Sequence, residues 1–159
     1  IETVIGAGLP LLVALRPDDQ PLAGQLRDRG VTTVRCANAS AGMGHTIADG
    51  IAALPADWVG VLVALGDMPL VRPTTYLLLA RGLTREGIVA PEHGGRRGHP
   101  VGFGASFFPA LQGLGGDRGG AELLTTHRQR VAHITVDDPG ILLDVDDPAE
   151  RDRLLAREQ

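Results

Sequence analysis

Short apolar runs and amphipathic stretches take turns along this chain, with only a few residues between them. That alternation limits the fold more than any motif does. Leu9–Leu15 reads as a strand stopped by the turn-forming "RPDDQP". Pro21 suits the first turn of a helix over Leu22–Arg29, and Gly30 suits its end. Val31–Arg35 alternates like a second strand. Thr46–Leu54 carries Ile47, Ile51 and Leu54 at helical spacing. Trp58–Leu65 is apolar on both faces, as expected of a central parallel strand covered by helices.

The pattern continues with a helix over Thr74–Leu83, a strand over Gly87–Ala90 and a loop or hairpin tip in "PEHGGRRGHP". Val101–Phe103 extends from that tip. Ser106–Leu114 reads as a helix with Pro109 in its first turn, and Ala121–His127 as another. Val131–Val136 and Ile141–Val145 are the last expected strands, and Pro148–Arg157 an amphipathic closing helix. Alternation of this kind implies a single α/β domain over residues 1–159, its sheet mostly parallel with helices on both faces.

Charge and composition remove several classes of function. The formal net charge is -4, against the basic face that nucleic-acid binding needs, and aromatic residues make up 3% of the chain, too few for a stacking platform. A membrane role is not expected. All 15 basic residues are arginines. The single Cys36 excludes an internal disulfide and suits a reducing cytoplasm, the expected location. The opening "IETVIGAGLPLLVAL" carries Glu2, lacks a basic start and is broken by Pro10. It reads as the end of a helix entering a strand, not as a signal peptide, and further residues are expected upstream of Ile1.

In an open α/β sheet, ligands bind outside the carboxyl ends of the strands. In "VLVALGDMPL" the apolar run stops at Gly66 and Asp67 follows at once; Asp146 stands in a similar place after "ILLDV". Two aspartates at neighbouring strand ends suit magnesium, which takes one or two carboxylates, several waters and substrate phosphates. Asp67 equally suits a polar turn, and Asp146 or Asp147 an N-cap. Asp147 before Pro148 is the better cap, which leaves the metal to Asp146.

Three loops could add contacts. In "RRGHP", Gly98 lets the backbone approach a ligand while His99 donates, although a loop histidine also suits a solvated surface. "GGDRGG", Gly115–Gly120, opens a helix and could cradle an anion or be a plain connection. In "NASAGMGH", Asn38 could hydrogen-bond a base or ribose. No nucleophile elbow, histidine pair at helical spacing or complete dinucleotide fingerprint is present.

Taken in order, "NASAGMG", "LGDMPLV", "RRGHPVGF", "GGDRGGAELL" and "DVDDP" resemble the MobA-like NTP transferases, and within them the molybdenum cofactor cytidylyltransferases. The resemblance spans most of Asn38–Pro148. It implies a Rossmann-like, three-layer nucleotidyltransferase fold. The implied activity joins CTP, or GTP, to the phosphate of molybdopterin with release of pyrophosphate. Asp67, beside Gly66, falls on the family's magnesium aspartate, and Asp146 on its second acidic ligand. Gly98, His99 and Pro100, with Gly116 and Asp117, match the pterin side; Asn38 and Gly42 match the nucleotide side. Small-molecule substrates are the implied partners, with a molybdoenzyme or its chaperone as the protein partner. Family members open with a strand and a loop of the form "LAAGxSxRMGxxK", which this lysine-free sequence does not contain, so Leu9–Leu15 corresponds to the family's second strand. Two other readings stand beside this one: a non-catalytic, cofactor-binding accessory module, and a nucleotidyltransferase for another small phosphorylated substrate.

Overall fold

Residue alternation along the strands decides which side each helix covers. The computed structural model describes residues 1–117 and 119–145. The chain runs α1 (Glu2–Gly6), β1 (Leu12–Leu15), α2 (Gln20–Asp28), β2 (Thr32–Arg35), α3 (Met43–Ala52), β3 (Gly60–Val63) and α4 (Pro73–Gly82). It continues through β4 (Ile88–His93), β5 (Arg96–Arg97), β6 (Val101–Gly104), α5 (Phe108–Gln112), α6 (Ala121–Thr126) and β7 (Val131–Thr135). Prolines start α2, α4 and α5, where the missing N–H costs nothing.

Among the described residues the strands form two sheets. In the smaller, β1 and β2 pair in parallel, from Leu12 opposite Thr32 to Leu15 opposite Arg35. In the larger, β6 lies between β3 and β4, and β4 also pairs with β5 and β7. β4 and β7 are parallel, whereas β6 runs against both β3 and β4. The expected mostly parallel sheet therefore holds for β1–β2 and β4–β7 and is interrupted by a reversed β6. The reversal starts at the expected hairpin tip, where Gly94 and Gly95 adopt φ of +58° and +76° and turn β4 back into β5.

Side chains on a strand alternate between faces. Val61, Val63, Ile88, Ala90, Val101 and Phe103 meet α3 through Ile47 and Ile51, α5 through Leu111 and α6 through Leu124. Leu62 and Ile134 belong to a second cluster, with Tyr76 of α4 and Val4 of α1. Helices thus cover both faces, which makes the three layers. Burying a side chain the size of Phe103 contributes about 2–3 kcal/mol. α3 bridges the two sheets, since Gly50 lies against Ala14 of β1 while Ile51 enters the larger core.

Three expectations change. Trp58–Leu65 is extended only over Gly60–Val63, and that strand is half-buried because it pairs with β6 alone among the described residues. The deepest strands are β4 and β6, whose Ile88, Ala90 and Phe103 are at most 2% exposed. Ile141–Val145 forms no strand: a 3-10 turn occupies Pro139–Leu142, and the carbonyl of Ile141 accepts from His99 instead of a ladder partner. The expected helix over Pro148–Arg157 lies outside the described residues. No helix among those described is long and apolar enough to cross a membrane.

Candidate active site

Parallel β3 and β4 end at one side of the larger sheet, and reversed β6 begins there, with Val63 opposite Val101. β7 ends there too, with Thr135 opposite Glu92. Four segments therefore leave from one edge: the Asp67 turn after β3, the hairpin after β4, Gly98–Pro100 before β6, and residues 136–145 after β7. This is the edge where a sheet of this kind takes its ligands.

The last of these segments ties the others together. The Val145 N–H donates to the carbonyl of Asp67 at 2.8 Å, and the His99 N–H donates to the carbonyl of Ile141 at 3.0 Å. Gly98 lies so close to that same carbonyl that a Cβ would run into it, and a Cβ on Gly140 would run into the carbonyl of Leu70. The segment is fixed at its start by Asp138, which is 2% exposed. Its Oδ2 accepts from the Arg72 N–H at 2.8 Å and the Thr75 hydroxyl at 2.6 Å, and its Oδ1 from the Gly140 N–H at 3.0 Å. Hydrogen bonds to a charged group contribute about 1.5–3 kcal/mol each. The carboxylate also sits at the N-terminal end of α4, where the helix dipole favours it.

Asp67 itself is exposed at the strand end. His99 is half-buried, and its Nδ1 is fully buried with no partner in the structure. Burial first, and then the Arg97 cation, push the His99 imidazole below its ordinary range; the Asp67 carboxylate opposes them. The imidazole is consequently neutral at pH 7. Pro100 is fully buried.

The two glycine loops meet separately. Gly42 has φ +122°, and a Cβ there would strike the Gly116 carbonyl group; the neighbouring Gly44 N–H donates to the Gly116 carbonyl at 2.8 Å. Asp117 follows on the exposed side of this crossing. Asn38 stands apart on the β2 side, lining a shallow recess of about 320 Å³ with Arg35, Asp49 and Ala53. Gly66 occupies an exposed turn with open space around it.

The structure thus brings Asp67, Gly98, His99 and Pro100 to one edge and joins Gly42 to Gly116 and Asp117. Asp146 lies outside the described residues. Among those described, no group of three or more His, Cys, Asp or Glu side chains is arranged to hold a metal. Sequence reasoning passed over Asp138, Thr75 and Arg72. The available signal was "DPG", an aspartate placed to close a turn onto Gly140, two residues on.

Solved structures share this fold. A nucleotidyl transferase from Methanothermobacter thermautotroptrophicus superposes with a TM-score of 0.81 at 20% identity, covering 99% of this chain and 79% of that one. Rv0371c of Mycobacterium tuberculosis H37Rv, solved in complex with manganese, gives 0.75 at 23% identity over 98% of this chain and 84% of its own. At the level of sequence, the purine catabolism protein PucB of Bacillus subtilis (strain 168) is 30% identical over 121 residues, which is 74% of this chain. The chain spans 58% of the length of that curated relative. Residues 1–131 match the MobA-like NTP transferase domain, and the reversed strand, the Asp67 turn and the paired glycine loops all fall within that match, so the chain belongs to the MobA-like NTP transferase family.

Proposed function

We propose that this domain transfers a nucleotidyl group from CTP, or GTP, to the phosphate of molybdopterin. The observation that carries the reading is the edge itself: an exposed carboxylate, Asp67, and the "GHP" segment are tied to one strap at the strand ends. A divalent cation fits this donor set. Magnesium needs only one or two carboxylates and completes its shell with water and phosphate, so the sparse acidic lining is compatible with it. Asp67 would hold the ion, with Asp146 as second ligand; the manganese bound by the mycobacterial relative supports the same class of metal. When bound, the cation supplies neutralisation of the triphosphate and of the departing pyrophosphate.

The chain's own groups then position the reactants. An oxygen of the acceptor phosphate attacks the α-phosphorus, a new P–O–P bond forms, and the bond to pyrophosphate breaks with its electron pair leaving on pyrophosphate. His99, held neutral, meets the acceptor without adding a second cation beside Arg97. Its unpaired Nδ1 is a buried polar atom that costs free energy until a partner is supplied. The crossing of Gly42 and Gly116 presents bare backbone close to where the nucleotide and pterin sides would approach. Catalysis of this kind is mainly orientation and electrostatics.

The test uses the chain from its complete gene, supplied with magnesium, molybdopterin and either CTP or GTP, with pyrophosphate release as the readout. Replacing Asp67 by Asn is expected to lower turnover by at least about a hundredfold without altering thermal stability, because the side chain is exposed. An Asp67→Asn rate equal to that of the parent would remove Asp67 from the mechanism. Preferential turnover of a sugar phosphate would replace the acceptor and keep the reaction class.

A further inference from the structure

We propose that Asp138 is a positioning residue that holds Asp67 and His99 in one fixed frame. The inference rests on the nucleotidyl-transfer reading above and deepens it. Asp138 and Thr75 are 2% and 1% exposed, so neither side chain is open to a substrate. Their effect passes through the backbone. Asp138 clasps the start of α4 through the Arg72 N–H and the Thr75 hydroxyl, and Arg72 returns a guanidinium hydrogen bond to the Asp137 carbonyl at 2.7 Å.

From that anchor the strap runs outward along the site. Gly140 is wedged against Leu70, Ile141 receives the His99 N–H, and Val145 reaches the Asp67 carbonyl. Asp67 follows β3 and His99 precedes β6, and among the described residues no hydrogen bond joins the two directly. The strap is what they share. In-line attack depends on the distance and angle between the group that holds the nucleotide and the group that holds the acceptor. A clasp that sets both from one buried carboxylate sets that geometry, whereas loosening it lets the two sides drift independently.

Thr75→Val tests this with the least disturbance. It removes one of the two bonds to Oδ2, keeps the side-chain shape, and leaves the Gly140 bond intact. Amide hydrogen exchange on the complete chain is the first readout. The His99 and Val145 amides are expected to exchange roughly tenfold faster in Thr75→Val and at the parent rate in Thr75→Ser, while Val89 and Ile134 in the sheet stay unchanged. Steady-state kinetics is the second. kcat is expected to fall by about tenfold to a hundredfold in Thr75→Val with KM for the nucleotide within about twofold, measured well below the variant's melting temperature. Asp138→Asn should show the larger change in both.

A Thr75→Val protein whose His99 and Val145 amides exchange at the parent rate overturns the proposal, whatever its melting temperature. So does one that exchanges faster yet turns over at the parent kcat. If the parent chain transfers no nucleotidyl group, the functional reading fails and the catalytic half of the proposal fails with it. The exchange data then still decide whether the strap couples the two residues.

Discussion

The strap beneath Asp67 and His99 and the crossing of the two glycine loops solve one problem by opposite means. Both bring together segments distant in sequence. At the strap, a buried carboxylate gathers three donors and the following backbone forms hydrogen bonds outward to Asp67 and His99. At the crossing, Gly42 and Gly116 touch because side chains are missing, with one backbone hydrogen bond between Gly44 and Gly116. The first arrangement is specified by chemistry and transmits a change along its length. The second is specified by space, so a change there stays local.

Adding one methyl group separates the two cases. Gly98→Ala drives a Cβ into the Ile141 carbonyl, and because the strap cannot retreat without releasing Asp67, the expected cost is about 3 kcal/mol in urea denaturation. Turnover should be lost along with it. Gly42→Ala meets the Gly116 carbonyl and a φ of +122°, for an expected cost of about 2 kcal/mol, with the His99 and Val145 amides unaffected. Equal disturbance of those amides by both variants would erase the distinction drawn here.

Acid provides a gentler probe of the strap side. The folded-state pKa of His99 lies below the unfolded value of 6.5, so the unfolded chain binds the proton first. The contribution of this residue to stability is therefore complete above pH 6.5 and is lost as the pH falls through the folded pKa. Melting temperatures taken across that window should decline in the parent and decline less in His99→Gln. Parallel curves for the two proteins would mean that burial of the imidazole has no thermodynamic weight. Gly66→Ala should do least, within about 0.5 kcal/mol of the parent, since nothing lies near the added Cβ. A large loss there would show that the Asp67 turn depends on backbone freedom as the crossing does.

Much of this molecule was legible in its residues. Helices announced by a proline in the first turn and by apolar spacing, such as α2, α4 and α5, fall within a few residues of their expected places. Asp67 was readable because a lone acid ends an apolar run. The failures share a cause, which is that strand character was inferred from apolar content. Trp58–Leu65 looked central but among the described residues its strand is flanked on one side only, and "ILLDV" looked like a strand although its first carbonyl is taken by His99. Pairing partners are set by distant parts of the chain, and periodicity cannot name them. Asp138 was legible only as the start of a turn, and its burial was hidden for a related reason. It follows Asp137, which is exposed, and the arrival of α4 is what buries one and not the other.

The reversed strand has a consequence for how such a domain can vary. Because the chain doubles back through Gly94 and Gly95, the β4–β5 hairpin projects from the edge that carries His99 while contributing just two residue pairs of its own. Lengthening or redecorating that projection, including its exposed Arg96 and Arg97, leaves the Val63–Val101 register in place. The overhang can diverge as freely as a surface loop, and the scaffold that holds Asp67 and His99 does not have to move with it.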